Sequence, residues 1–351
     1  MTTAVVYHEG CLKHRQLPGH PETPERLKST MEYYAKKGVL DHVRLLKPEN
    51  ATLEDILRVH DIKLVEHIRE LAEGGGGSIN SDTYVSPETY DAALLTAGGV
   101  KLAGEVVMTG EYDNAFALVR PPGHHASRYE ATGFCYFDNV SVMIKYLQQR
   151  YGLKRALVFD WDAHNPNGTM DTFYHDPTVL NVSIHQDPHT LYPGTGFVED
   201  IGEGSGRGYT INLPVPAGTG DADYMHLIDE VITPAAERFR PELIVLSAGQ
   251  DSHRDDLLSG LSVTEAGYAA MTMRFMELAE EHCNRRLVVE LEGGYNLNAL
   301  RESNYMIISA LMGMKFLPNI TGKVRESTKE LVKEYNEVMM SARIWADAPR
   351  I

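Results

Sequence analysis

Six short runs, apolar at nearly every position, limit this chain more than any other feature of its sequence. They are Ala4–Tyr7, Ala115–Val119, Ala156–Asp160, Val179–His185, Leu243–Ser247 and Leu287–Leu291. A strand that alternates apolar and polar residues has one wet face, whereas near-continuous runs of this length are buried on both. Between them lie helical patterns with recognisable starts. Ser86-Pro87 offers an N-cap and a first-turn proline before a helix to about Val107. Asp221 can cap a helix through about Phe239, with Pro234 as a kink or break, and Ser262 or Thr264 precedes a helix to about His282. Strand–helix alternation along the whole length predicts an α/β chain wound around a parallel sheet.

At 351 residues the chain can bury a large core without disulfides. Neither a repeat nor a boundary interrupts it, and Gly74–Gly77 reads as a mobile surface loop rather than a linker. One domain over residues 1–351 is expected. Residues 320–351, with Lys and Glu alternating from about Gly322, form a peripheral helical segment. A hydrophobic share of 43% with 23% charged residues excludes a disordered chain. Cys11, Cys135 and Cys283 are odd in number and far apart, as free thiols in a reducing compartment would be. The start, MTTAVVYHEG, lacks the pattern of a signal peptide, and no apolar run approaches the ~20 residues of a membrane span. A soluble cytoplasmic protein without membrane contact is expected. With 33 Lys+Arg against 49 Asp+Glu, the net charge of -16 argues against nucleic-acid binding. It suits cationic substrates, or simply solubility.

Candidate chemistry gathers where the predicted strands end, which is where open α/β sheets bind ligands. Ala156–Asp160 runs into Asp160-Trp161-Asp162-Ala163-His164, and residues two apart on extended backbone face the same way. Asp160, Asp162 and His164 can thus face one pocket, where an Asp and the His, joined by Asp251 after the run Leu243–Ser247, can supply the oxygen and nitrogen donors of a three-ligand zinc site with an open position. The bland alternative for D-x-D-x-H alone is a helix-capping Asp and a core-bonded His. His124-His125, on the Pro- and Gly-stiffened loop after Ala115–Val119, can serve as an acid/base pair, although most adjacent histidines are surface or core residues. Tyr295, in Glu292-Gly293-Gly294-Tyr295, can reach a developing oxyanion, or be one more half-buried tyrosine.

RPPGHHA (Arg120–Ala126), GFCYFDN (Gly133–Asn139), DWDAHNPNGT (Asp160–Thr169), YPGTG (Tyr192–Gly196), SAGQDSHRDD (Ser247–Asp256) and EGGYN (Glu292–Asn296) follow one another in order. Together they resemble the zinc-dependent histone deacetylase family, including its prokaryotic members, and HPETPERL (His20–Leu27) resembles the class II branch. The resemblance implies an arginase/deacetylase-like α/β fold, with a central, mainly parallel sheet flanked by helices. It implies Zn²⁺ on Asp162, His164 and Asp251, and tandem acid/base histidines His124 and His125 oriented by Asp160 and Asn167. Tyr295 matches the residue that polarises the acetyl carbonyl. Gly133, Phe134 and Tyr192 match the channel for the acyl-lysine chain, and Asp82 a rim residue. Arg26 matches a basic residue of an internal cavity implicated in acetate exit, and Asp160 with nearby carbonyls matches a K⁺ site.

Two departures stand out: Asn165-Pro166 replaces the usual His-Gly after His164, and Gln250 stands where an aromatic is usual before Asp251. The expected substrate is acetylated lysine or another small acetylated amine. An acetylpolyamine hydrolase is the nearest rival, but Leu258 stands where a Glu would favour polyamines, while Asp255 and Asp256 lie close by. A ureohydrolase with two metals is more distant, because a second Asp-rich cluster is not apparent, as is a non-catalytic binder of acylated ligands. The oligomeric state is left open.

Overall fold

The computed structural model describes residues 1–314 and 316–344. Among the described residues ten strands form in chain order: β1 (Thr3–Val6), β2 (Arg44–Leu46), β3 (Gly77–Ser78), β4 (Tyr84–Val85), β5 (Asn114–Ala117), β6 (Ala156–Asp160), β7 (Val179–Gln186), β8 (Thr210–Val215), β9 (Leu243–Ala248) and β10 (Leu287–Leu291). Eight make one sheet in the order β2-β1-β5-β10-β9-β6-β7-β8, and every neighbouring pair is parallel. Helices flank it, as an all-parallel sheet requires, and the six expected apolar runs are its interior strands. This is the α/β arginase/deacetylase-like architecture.

The two remaining strands of the sheet, β2 and β8, are its edges and were not among the expected runs. β2 is three residues long and begins on two exposed side chains, Arg44 and Leu45. β8 carries Pro214, which an edge strand tolerates because one rank of its N–H groups has no ladder partner. The helix Glu326–Ser341 packs along β8 through buried Leu331, Tyr335 and Met339. It matches the expected C-terminal helix, while residues 345–351 of that segment lie outside the described residues.

Two helix starts differ from expectation, and a third settles between two candidates. Thr89, not Pro87, opens the helix to Met108, because the Ser86 N–H donates to Thr89 Oγ1 at 2.7 Å and holds the preceding turn. Gly220 caps the next helix, leaving the Asp221 carboxylate to accept from the Thr264 N–H (2.8 Å) and hydroxyl (2.7 Å). Thr264 itself caps Glu265–His282, the second of the two expected starts. The break at Pro234 is a widened π turn, Ile228–Ile232, between Asp221–Leu227 and Thr233–Phe239. Pro234 has no N–H to return to the carbonyl four residues back, so the turn opens there. Gly74–Gly77 is less of a loop than expected: Gly74 ends the helix Ile62–Glu73, and Gly77 enters the β3–β4 hairpin. All three cysteines are buried and free, and among the described residues no helix is long and apolar enough to cross a membrane.

The winding order matters most for the site. Chain neighbours β5 and β6 are separated in the sheet by β10 and β9, so four strands from distant parts of the sequence lie side by side. Their register is level: Asp160 pairs with Ser247, Ser247 with Glu290, and Glu290 with Ala117. The segments leaving these four carboxyl ends therefore emerge at one height.

Candidate active site

Those four segments carry most of the singled-out residues. Asp162 and His164 follow β6, Asp251 follows β9, His124 and His125 follow β5, and Tyr295 follows β10. His164 Nδ1 lies 3.0 Å from Asp162 Oδ1 and 3.0 Å from Asp251 Oδ2. One ligand atom from each of the three falls within 4.8 Å of the others. An imidazole nitrogen facing two acceptor oxygens has one proton at most for both of them. Burial opposes charge on His164, yet the flanking carboxylates push it up to about 10, which marks a pocket that attracts cations. One nitrogen and two oxygen donors form a set that could hold a zinc-type ion.

The backbone around the triad is shaped to admit these side chains. A Cβ on Gly249 would lie 1.9 Å from Asp162 Oδ2, and one on Gly293 would lie 2.3 Å from Asp251 Oδ2. Neither contact can relax without moving a candidate ligand. Gly249→Ala is therefore expected to lower bound metal in purified protein at least several-fold, measured by elemental analysis. Wild-type metal content in that variant would mean that Asp162 is not a ligand.

His124 and His125 are both buried, with ring centroids 4.0 Å apart, but their partners are opposite in kind. His124 Nδ1 faces Asp160 Oδ2 at 2.9 Å, whereas His125 Nδ1 faces the amide Oδ1 of Asn167 at 2.7 Å. An amide oxygen only accepts, so His125 donates from Nδ1 and keeps the lone pair of Nε2. Burial opposes charge on both rings. For His124 the carboxylates of Asp162, Glu292 and Asp160 overcome it and raise the pKa well above the usual range. For His125 the neighbouring His124 and His164 add to burial and hold it well below. The two rings are thus biased in opposite directions, His124 toward the cation and His125 toward the neutral base. Asp160 also accepts from the Asp162 N–H at 2.8 Å through its other oxygen.

Tyr295 is only 8% exposed, and burial pushes its hydroxyl well above the ordinary phenol range, so it stays a proton donor. Its ring meets Phe134 edge-on at 5.8 Å, and the Arg26 guanidinium lies 5.0 Å from its centroid. Tyr192 packs edge-on against His125 at 5.0 Å and hydrogen-bonds Thr132 through its hydroxyl. Phe134 is held at φ 69°, an uncommon conformation for a non-glycine residue, with its N–H on Thr83 Oγ1 and its ring against His20. Gly133, its neighbour, leaves no room for a Cβ beside His125. Asp82 accepts from the Thr83 hydroxyl, and its carbonyl lies 3.2 Å from His20 Nε2, so it stands one residue away from this aromatic group. Leu258 is half-buried on the segment after Asp251, tied to the Tyr295 segment through Asp256.

Arg26 is fully buried. It donates to the carbonyls of Gly294 (2.7 Å) and Glu292, and to Glu22 Oε1 at 3.2 Å. Glu22 is the hub: Arg120 grips both its oxygens at 2.7 and 2.6 Å, and His14 approaches at 3.4 Å. Glu292 Oε2 accepts the N–H groups of Gly123 (2.8 Å) and His124 (3.3 Å), fixing the backbone of the histidine pair. Glu22 and Glu292 lie within the motifs HPETPERL and EGGYN, yet neither motif by itself singles them out as site residues. The i, i+4 spacing of Glu22 and Arg26 is the one local signal, since Arg120 and the Gly123–His124 backbone, which define the two roles, lie far off in the chain.

The two departures are accommodated differently. Asn165 is buried and bonded through both ends of its amide, to Asn212 and Thr195, while Pro166 begins the helix Asn167–Phe173 that presents Asn167. Gln250 is fully buried, and neither polar atom of its side chain finds a protein partner. A second grouping of His124, Cys135 and Glu292 also has ligand atoms within 4.8 Å of each other, but it shares no residue with the first.

A parallel α/β sheet with this triad and histidine pair at its carboxyl edge is the architecture of a deacetylase-type hydrolase. The histone deacetylase domain model matches residues 20–311, and the chain belongs to that family. It is 45% identical over 339 residues to a probable deacetylase of Archaeoglobus fulgidus, covering 93% of each chain. It is 36% identical over 351 residues to a histone deacetylase-like amidohydrolase of Pseudomonas aeruginosa, covering 94% of this chain and 90% of that one. The crystal structure of the HDA15 HD domain superposes with a TM-score of 0.91 at 33% identity, covering 97% of both chains.

Proposed function

We propose that this protein is a zinc-dependent deacetylase that hydrolyses the acetyl amide of acetyl-lysine or a related N-acetylated amine. The observation that carries this reading is the free Nε2 of His125, a neutral buried base, beside a three-donor metal set and a protonated tyrosine. Asp162, His164 and Asp251 would hold the zinc ion, which when bound supplies Lewis acidity to the amide carbonyl and acidifies a water molecule. His125 Nε2 takes the proton of the attacking water, with Asn167 keeping the tautomer correct. Tyr295 donates its hydroxyl to the carbonyl oxygen as negative charge builds there. His124, biased toward its protonated form by Asp162, Glu292 and its bonded partner Asp160, stabilises that charge from the neighbouring position. The proton on His125 then passes to the amine nitrogen as the C–N bond breaks, releasing acetate and a free amine.

Phe134 and Tyr192, packed on Tyr295 and His125, wall the path for an aliphatic chain, with Gly133 keeping it open. Leu258 at the mouth favours lysine side chains over polyamines, and Asp82 stands on the rim. A monovalent cation such as K⁺ beside Asp160, one domain spanning residues 1–351, and a cytoplasmic location belong to the same proposal; the three buried free thiols support the last. The two candidate metal groups share no carboxylate, which favours one metal over a bridged pair. The test compares an acetyl-lysine peptide with acetylputrescine and acetylspermidine. A higher kcat/KM on the peptide is expected, and a value two orders of magnitude higher on a polyamine would reverse the substrate assignment.

A further inference from the structure

The residues Glu292–Asn296 that carry Tyr295 form neither helix nor strand, and they include Gly294 at φ +112°. Order in such a segment has to be imposed from outside it. On one side Arg26 holds its carbonyls, as described above. The N–H groups of Glu292 and Gly293 go to the Ala248 carbonyl (3.0 Å) and Asp162 Oδ2 (2.9 Å), but those of Tyr295 and Asn296 are held by a different residue. Asp256 Oδ2 accepts from the backbone N–H of Tyr295 at 2.6 Å and of Asn296 at 3.0 Å. The other oxygen, Oδ1, accepts from the Leu258 N–H at 3.0 Å. Asn296 returns the tie by donating from Nδ2 to the Asp255 carbonyl at 2.8 Å, while its own oxygen caps the helix Leu297–Leu311. Asp255, the neighbouring acid, has a side chain 64% exposed and pairs only loosely with its surroundings.

We propose that Asp256 is a positioning residue for Tyr295: its carboxylate locks the tyrosine backbone and couples it to the channel-mouth segment bearing Leu258. The proposal rests on the reading of Tyr295 as the donor to the carbonyl oxygen. A carboxylate suits the task because it accepts along both oxygens, and charge-assisted bonds to N–H groups are short and strong. An asparagine offers one acceptor and turns an NH₂ group toward other donors. Displacement of a reacting group by about 1 Å can cost on the order of 10² in rate. The mouth segment and the tyrosine therefore move as one unit, so a substrate seated against Leu258 bears on a tyrosine already in place.

A double-mutant cycle on the zinc-loaded protein tests this, because a residue acting only through Tyr295 has no effect once the hydroxyl is gone. D256N is expected to lower kcat on the acetyl-lysine peptide by about 10- to 100-fold. KM should stay within about threefold and metal content should be unchanged. In the Y295F background the same substitution should cost less than about threefold. Unchanged kcat in D256N, or the same loss in both backgrounds, would overturn the proposal. Should D256N not fold, D256E, which displaces the carboxylate by one methylene, goes through the same cycle with the same two outcomes. Failure of the underlying reading is visible separately, as an unaltered kcat in Y295F alone.

Discussion

Tyr295→Phe is expected to lower kcat by roughly 10²- to 10³-fold, the usual cost of removing one preorganised oxyanion donor. Metal content should not change. The substitution removes a single oxygen from a ring that packs against Phe134 and beside the Arg26 guanidinium, on a backbone tied by Asp256. None of those contacts uses the hydroxyl, so the phenylalanine should occupy the same place. Because burial raises the phenol pKa well above its ordinary value, the wild-type hydroxyl is protonated at neutral pH and donates. Loss of kcat with KM little altered would show that the bond forms chiefly as the carbonyl oxygen becomes negative. A variant within about threefold of wild type would mean that another group meets that oxygen.

Glu22→Gln is expected to cost roughly 3–5 kcal/mol of stability, the range for breaking a buried ion pair by removing one partner. For a chain of 351 residues this corresponds to a fall in Tm of roughly 5 °C. Glu22 is fully buried, and burial alone would raise its pKa. The Arg120 guanidinium, with His14 beside it, instead holds the carboxyl well below the usual carboxylate range. Without the charge, Arg120 and Arg26 remain buried side by side, with repulsion in place of a shared counterion. Arg26 also carries the carbonyls of Glu292 and Gly294, so kcat should fall together with Tm. A thermal midpoint within about 1 °C of wild type would contradict the role of Glu22 as the hub.

How much of this was legible in the sequence depends on how local each signal is. Ala156–Asp160 and Leu287–Leu291 were read with the boundaries the structure gives, because strands buried on both faces announce themselves residue by residue. Arg44–Leu46 left no such trace, being short, exposed at its start and at the edge of the sheet. The spacing of Asp162 and His164 was local too, but their meeting with Asp251 follows from β9 lying beside β6. Glu22 and Glu292 escaped notice because their partners are 98 and 169 residues away in the chain. In the sequence Asp256, like Asp255, stands out only as an acid close to Leu258 that leaves room for a cationic substrate. Its oxygens are instead spent on the N–H groups of Leu258, Tyr295 and Asn296, and only folding brings the last two within reach. The need for glycine at position 249 is equally non-local, since the atom it makes way for belongs to Asp162.

Elemental analysis of protein purified without added metal, paired with deacetylation of an acetyl-lysine peptide before and after chelation, tests the central claim most directly. The triad of Asp162, His164 and Asp251 predicts about one zinc per chain, loss of activity on chelation, and recovery on adding back about one equivalent. Two transition metals per chain, or deacetylation that survives complete metal removal, would contradict it.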